Sequence, residues 1–323
     1  MFAHKKLLNA IADSNSIYIQ THNFPDHDSV ATAFALQYLL KSLGKEARII
    51  YEGEVQRDSL KRMIQELSID IRHASKYPLA PQDKIVVVDG CKGNKNVTDL
   101  TGEEIGVIDH HHVKAPDDVR FVDIRPEYGA CSSIVFEYFA QAEIDIPQKV
   151  ATALLVGINM DTALLTRNVS RADLLAYTDL YGRADVALVN SILINYIQTR
   201  DLGFFKTALD RVRIKETLAF CYFPEGCNQN LMGILGDFFM ALQEIEFVAL
   251  CAQNGDQINF SVRSENRDWN ASAIIQDVLR GIGFGGGHMD RAGGIIEDKA
   301  RFNEESIYKS FVKSLKLPDI TIF

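Results

Sequence analysis

Cysteine is scarce in this chain of 323 residues: Cys91, Cys131, Cys221, Cys227 and Cys251 are all there are. They are odd in number and widely spread, and no two form a C-x-x-C pair, which argues against a disulfide framework or a zinc ribbon and leaves reduced thiols. Long apolar runs are missing too. No stretch reaches the ~18 uninterrupted apolar residues of a membrane span, and Asp13 and Asn15 stand where a signal peptide would continue apolar. A cytoplasmic protein with no membrane partner is expected. Positive charge is in deficit, with 34 Lys and Arg against 43 Asp and Glu and a formal net charge of −9. The chain as a whole therefore repels polyanions, which argues against a long duplex gripped through its phosphates. A short phosphorylated substrate remains open, because bound divalent cations reverse the field inside an acidic cleft.

What is present is ordinary soluble composition, 47% hydrophobic and 24% charged, without an internal repeat or a Pro-rich or Gly/Ser-rich tract. At about 150 residues per domain the length predicts two domains. In the first half, β-rich runs at 16–20, 47–51, 84–89, 105–109 and 120–123 alternate with helix-period segments. One of these runs from Ser29 to Leu43, with apolar residues at Val30, Ala33, Phe34, Leu36, Leu39 and Leu40. This alternation specifies an α/β fold, a largely parallel sheet flanked by helices, whose chemistry gathers beyond the carboxyl ends of the strands. From Cys131 to about Leu209 the pattern is helical, and strand-like runs return at 217–223, 245–253 and 257–263. The expected organisation is a catalytic domain over 1–195, a helical linker over 196–214 and a smaller α/β substrate-binding domain over 215–323, across a cleft.

The chemistry-bearing residues stand at the predicted strand ends. After the first strand, THNFPDHDS crowds His22, Asp26 and Asp28 into one loop. A solvated turn with Asp28 capping the next helix is the plain alternative, but three such side chains repel one another unless a cation neutralises them. Asp89 ends the run KIVVVDG, and by itself it reads as a turn former. The next strand delivers IGVIDHHH, and Asp109, His110, His111 and His112 in succession have no plain structural use. A carboxylate beside an imidazole usually orients a metal ligand. Asp161 interrupts the apolar run ALLVGINM, where burial requires a partner to offset desolvation. Together these are mixed nitrogen and oxygen donors in the number two cations require.

His22-x-x-x-Asp26-x-Asp28, Asp89, Asp109-His110-His111 and Asp161, in this order, resemble the four motifs of the DHH phosphoesterases. The family includes RecJ-type exonucleases, nanoRNases that also act on 3′-phosphoadenosine 5′-phosphate, cyclic dinucleotide phosphodiesterases and family II pyrophosphatases. The resemblance implies a centre of two Mn²⁺ ions, with Mg²⁺ or Co²⁺ as substitutes. His22, Asp26 and Asp89 would hold one ion, and Asp28, Asp89, His110 and Asp161 the other, with Asp89 bridging. Two ions ~3.5 to 4 Å apart hold a hydroxide and stabilise both the attacking and the departing oxygen at phosphorus. In that scheme Asp109 orients His110, and His111 faces the substrate.

The second domain carries SVRS and FGGGHMDRAGG, with Arg263 and Ser264 at a strand end and Gly285, Gly286, Gly287 and His288 in a glycine-rich turn. A simple connector is the plain reading. Beside the first-domain motifs, the segment resembles the DHH-associated domain, whose glycine loop contacts substrate phosphate and whose Arg-Ser pair holds the nucleotide. The chain departs from the family at His27, where Gly is frequent, at Phe284, where a fourth Gly is common, and at Arg291, in place of a small residue. These departures bear on the substrate pocket and not on the metals. Trp269 and Phe238-Phe239 read as core or domain contacts, and Ser132 or Ser133 as a helix cap. The implied substrate is a short oligoribonucleotide or 3′-phosphoadenosine 5′-phosphate. The rivals are a pyrophosphatase or exopolyphosphatase, a cyclic dinucleotide phosphodiesterase, and a non-catalytic nucleotide-binding regulator.

Overall fold

The computed structural model describes residues 2–14, 17–194 and 197–318. Ser16, first in the expected strand, and residues 195 and 196, where the expected linker begins, lie outside the described residues. The chain divides into two units, Met1–Tyr196 and Ile197–Phe323.

The first unit runs α1 (Ala3–Ala10), β1 (Ile17–Gln20), α2 (His27–Ser42), β2 (Ala47–Tyr51), α3 (Asp58–Leu67), β3 (Ile71–His73), β4 (Lys84–Val88), β5 (Glu103–Asp109) and β6 (Phe121–Ile124). Helices α4 (Cys131–Ala142), α5 (Gln148–Asp161), α6 (Arg171–Tyr181) and α7 (Val186–Ile194) follow. Its six strands are all parallel, in the order β3-β2-β1-β4-β5-β6. A parallel sheet covered on both faces wants continuous apolar strands; accordingly, all four residues of β1 are buried, as are Ile85 to Val88 of β4. Strand order reverses between β1 and β4, and ligands of open α/β sheets bind at such a switch, outside the carboxyl ends. The loops after β1, β4 and β5 carry His22, Asp89 and His110 to that edge.

Helices α2 and α5 pack against each other and are buried along most of their length. Small residues make the approach close. A Cβ on Gly157 of α5 would lie 2.4 Å from Ser132 Oγ and 2.7 Å from Asp28 Oδ1, so only glycine fits there.

The second unit contains α8 (Leu202–Arg211), β7 (Arg213–Lys215), β8 (Leu218–Phe223), α9 (Gln229–Met240), β9 (Phe247–Asn254), β10 (Gln257–Ser264), α10 (Ala271–Val278), β11 (Phe284–Gly287), β12 (Arg291–Ile296) and α11 (Glu304–Ser314). Helix α8 packs on β8, inside this unit. The sheet order is β11-β12-β10-β9-β8-β7, antiparallel except for the pair β8 and β9. Along β9 the side chains alternate in the period of two of a sheet with a helical layer on each face. Phe247, Ala249 and Cys251 join the cluster of α10 and α11, and Val248, Leu250 and Ala252 join that of α8 and α9. Trp269 packs edge-on against Phe247 and Phe239 is buried, whereas Phe238 is 39% exposed and meets Phe205 edge-on.

The glycine segment corrects the sequence reading. Phe284–Gly287 is no turn but an edge strand paired antiparallel with β12, Gly285 opposite Gly294 and Gly286 opposite Gly293. The cause is packing: a Cβ on Gly285 would meet Ile275 at 3.0 Å, and one on Gly294 would meet Leu279 at 2.6 Å. Glycine lets the hairpin lie directly on α10.

Candidate metal centre

Three loops and two helices build the centre. Asp26 is the N-cap of α2, its carboxylate accepting from Ser29 N at 3.0 Å while Ser29 Oγ accepts from Asp26 N. The cap is thus Asp26 and not Asp28. Asp28, two residues further on in the first turn, is fully buried, and its two carboxylate oxygens accept from Cys131 N at 2.6 Å and Ser132 N at 3.0 Å, the first two amides of α4. A helix N-terminus is suited to a carboxylate because its free N–H groups and dipole favour negative charge. Neither Ser132 nor Ser133 caps α4, contrary to the sequence reading. Ser133 Oγ donates instead to the buried Asp173, which also accepts from Gly129 N and Ser170 N.

Asp89 sits one residue past β4 with φ 55°, the left-handed region that side chains with a Cβ adopt at a cost. Its amide donates to Ile108 O at 2.8 Å, which ties the strained residue to β5. The imidazoles are held from behind. His22 Nδ1 lies 2.8 Å from the Asn23 carbonyl and His110 Nδ1 3.2 Å from that of Tyr128, so each ring turns Nε2 toward the carboxylates.

The structure brings the predicted residues into groups whose ligand atoms lie within 4.8 Å of one another, His22 with Asp26 and Asp89, Asp28 with His110 and Asp161, and, linking these two, Asp89 with His110 and His111. His110 Nε2 stands 3.3 Å from Asp89 Oδ1 and 3.1 Å from Asp161 Oδ2, so Asp89 reaches both groups. Those atoms test whether cations fit. His110 Nε2 and Asp89 Oδ1 are buried and near each other, yet among the described residues neither finds a correctly oriented hydrogen bond. They point to a common centre. Carboxylate oxygen and imidazole nitrogen together suit an ion of manganese type.

Protonation shows the same demand for positive charge. Burial opposes the charging of His22, but Asp26 and Asp89 push it up to about 10. Burial likewise opposes that of His110, which Asp161 and Asp89 push up to about 12. Asp28 is raised well above the carboxylate range by burial, then by the charges of Asp89 and Asp161. Without cations the cluster gathers protons instead.

Asp109 departs from its expected role. It is fully buried, and its Oδ1 takes the amides of His110 at 2.7 Å and His111 at 3.1 Å and the His111 ring Nδ1 at 2.8 Å. It therefore orients His111; the His110 ring rests on Tyr128. That hydrogen bond raises the His111 pKa, and the ring, with a side chain 52% exposed, presents Nε2 outward. Tyr128, Asp173 and Gly157 were missed by sequence reasoning. The small-residue run Gly129-Ala130-Cys131-Ser132-Ser133 was the available signal, since a helix start that receives a foreign carboxylate needs bare backbone.

Within the second unit, Arg263, Ser264, His288 and Arg291 meet at one end of the sheet. Arg263 and Arg291 are direct partners across β10 and β12, and both reach Asp237 Oδ1, at 3.0 and 3.7 Å. Two guanidiniums share one carboxylate oxygen, and the departure at Arg291 adds the second cation. Ser264 is buried, its hydroxyl donating to the Asn266 carbonyl at 3.2 Å, while the His288 side chain is exposed. A Cβ on Gly286 would meet nothing within 4 Å, so no packing requires that glycine.

Two family descriptions match the chain, the N-terminal domain of the DHH family over residues 16–158 and the DHHA1 domain over 215–313. The chain belongs to the DHH phosphoesterase superfamily. An uncharacterised protein of Methanocaldococcus jannaschii, MJ1633, is 29% identical over 85% of this chain and 57% of its own length. A protein of Lactobacillus gasseri named a probable manganese-dependent inorganic pyrophosphatase is 28% identical over 54% of each chain. The chain spans about half the length of such curated relatives. Among solved structures, an exopolyphosphatase-related protein of Bacteroides fragilis superposes with a TM-score of 0.78 at 19% identity, covering 97% of this chain and 95% of that one, which shows a shared fold. No helix among the described residues is long and apolar enough to cross a membrane.

Proposed function

We propose that this chain is a phosphoester hydrolase carrying two Mn²⁺ ions, acting on short oligoribonucleotides or 3′-phosphoadenosine 5′-phosphate. One observation carries the reading: two ligand groups adjoin through the buried, strained Asp89 at the sheet's switch point. His22, Asp26 and Asp89 would hold one ion and Asp28, Asp89, His110 and Asp161 the other. When bound, such a pair supplies a nucleophile at neutral pH and Lewis-acid stabilisation of phosphoryl oxygens.

The chain's own residues then divide the work. Asp109 holds the His111 ring so that Nε2–H faces outward and donates to a phosphoryl or leaving-group oxygen. The hydrogen bond to Asp109 raises the His111 pKa, the direction that favours an acid. Within the second unit, Arg263 and Arg291 together offer an anion charge-assisted hydrogen bonds, and Gly286 adds no side chain there.

Pyrophosphate hydrolysis is the second reading, favoured by the name of the Lactobacillus gasseri relative. Turnover of the Mn²⁺-loaded protein on di- to pentaribonucleotides, 3′-phosphoadenosine 5′-phosphate, cyclic dinucleotides and pyrophosphate, side by side, tests both. Preference for the linear nucleotides supports the first reading, and preference for pyrophosphate overturns it. No turnover on any of them points to the regulator.

A further inference from the structure

Between the ligands His22 and Asp26 the chain places Phe24, the one aromatic among the described residues that combines two features. Its φ is 55°, a left-handed conformation that a bulky side chain adopts only under constraint. Its side chain is also 52% exposed, so burial does not compensate for the strain. A single exposed aromatic is unremarkable on a protein surface. An exposed aromatic locked in a strained backbone between two candidate metal ligands is not, because such strain persists where it serves the site.

The loop is fixed on both sides. Phe24 N donates to Glu52 O at 2.9 Å and Asn23 N to Asn96 O at 2.6 Å. The Asn23 side chain exchanges hydrogen bonds with Thr98, Nδ2 donating to Oγ1 at 2.9 Å and Oδ1 accepting from Thr98 N at 3.1 Å. Pro25 follows and restricts the chain further. One edge of the ring rests on bare backbone: a Cβ on Gly53 would come within 2.9 Å of Phe24 Cδ1 and 3.0 Å of Cε1. Glycine at 53 therefore leaves room for the ring. Nearby, the exposed Arg57 bears electrostatically on Asp26 and His27 and forms no ion pair within 4 Å among the described residues.

A rigid, pre-oriented aromatic face beside a phosphoryl-transfer centre, with a cation at hand, fits a nucleobase, since every base offers a π-face whatever its sequence. We propose that Phe24 is a stacking platform for the base adjoining the scissile phosphate. The assignment rests on the nucleotide phosphoesterase reading above and deepens it, because a bare phosphate chain has nothing to stack. Base tolerance follows as well: stacking holds purines more strongly than pyrimidines but admits both.

The test compares wild type with F24A, F24N and F24W, all loaded with Mn²⁺, on a dinucleotide and on the same phosphodiester lacking one base. F24N accommodates the left-handed backbone and so separates loss of the ring from loss of the loop. The expected result is a loss of at least about tenfold in kcat/KM on the dinucleotide, mostly in KM, a smaller loss on the abasic diester, and recovery in F24W. A second readout needs no turnover: 2-aminopurine 5′-monophosphate titrated into the protein is quenched by wild type and F24W and not by F24A or F24N. Equal losses on the two diesters, or absence of quenching with wild type, overturns the proposal. If wild type turns over pyrophosphate and no nucleotide, the functional reading fails, and the quenching titration alone then decides the fate of the platform.

Discussion

The first unit keeps its candidate chemistry in buried charge, and the second keeps it in missing side chains. Asp28, Asp89 and Asp109 are at most 2% exposed, and no structural need other than charge compensation accounts for so many carboxylates at one sheet edge. In the second unit Gly285 and Gly294 are fully explained by contact with α10, and Gly286 is not. A buried carboxylate has few uses: Asp173 spends its oxygens on amides and a hydroxyl of the fold, whereas Asp89 Oδ1 finds no such partner among the described residues and so reports on function. A glycine has many, and only the surrounding structure separates those that pack from those that leave space for a ligand.

Substitution can sharpen that contrast, and the largest effect is expected at Asp89. Asp89→Asn keeps the size of the side chain and removes the charge shared by both ligand groups, so activity should fall by orders of magnitude while thermal unfolding stays cooperative. Near wild-type turnover with saturating Mn²⁺ would separate Asp89 from the centre. Asp109→Asn should cost about 10- to 100-fold in activity, the usual size of an outer hydrogen-bond loss. Because the His111 ring and not the His110 ring depends on Asp109, Mn²⁺ affinity should change less than turnover. A metal titration set beside the kinetics distinguishes the two.

Gly157→Ala inserts a methyl group between α5 and the pair Ser132 and Asp28, and overpacking of this kind costs about 1–3 kcal/mol. Chemical denaturation should register that loss together with weaker Mn²⁺ binding, since Asp28 must shift. The smallest effects separate neighbouring glycines of β11. Gly285→Ala should destabilise the fold by about 1 kcal/mol through its contact with Ile275, whereas Gly286→Ala should stay within about 0.5 kcal/mol of wild type. Equal denaturation curves for the two would remove the distinction between packing and open glycines.

Much of this was legible in the sequence, for reasons that differ along the chain. The strands of the parallel sheet announced themselves because both faces are covered, which makes β1 and β4 apolar throughout. The six ligand-type residues were legible because carboxylates and imidazoles rarely accumulate at strand ends. Which imidazole Asp109 serves was not, since His110 and His111 are adjacent and only the backbone path decides which ring faces Oδ1. The seat of Asp28 on α4 joins residues more than a hundred positions apart, and no local pattern records such a contact. The strand at 284–287 was hidden because its glycines carry no β-propensity, and Gly285 is explained only by its contact with Ile275 of α10.

The central claim is that Asp89 joins two ligand groups into one centre for two cations. Calorimetric titration of metal-free protein with Mn²⁺, confirmed by elemental analysis after gel filtration, counts the ions directly. The account predicts two per chain, with proton release on binding, because His22 and His110 are protonated near pH 7 in the metal-free protein. One ion per chain, or none, would contradict it.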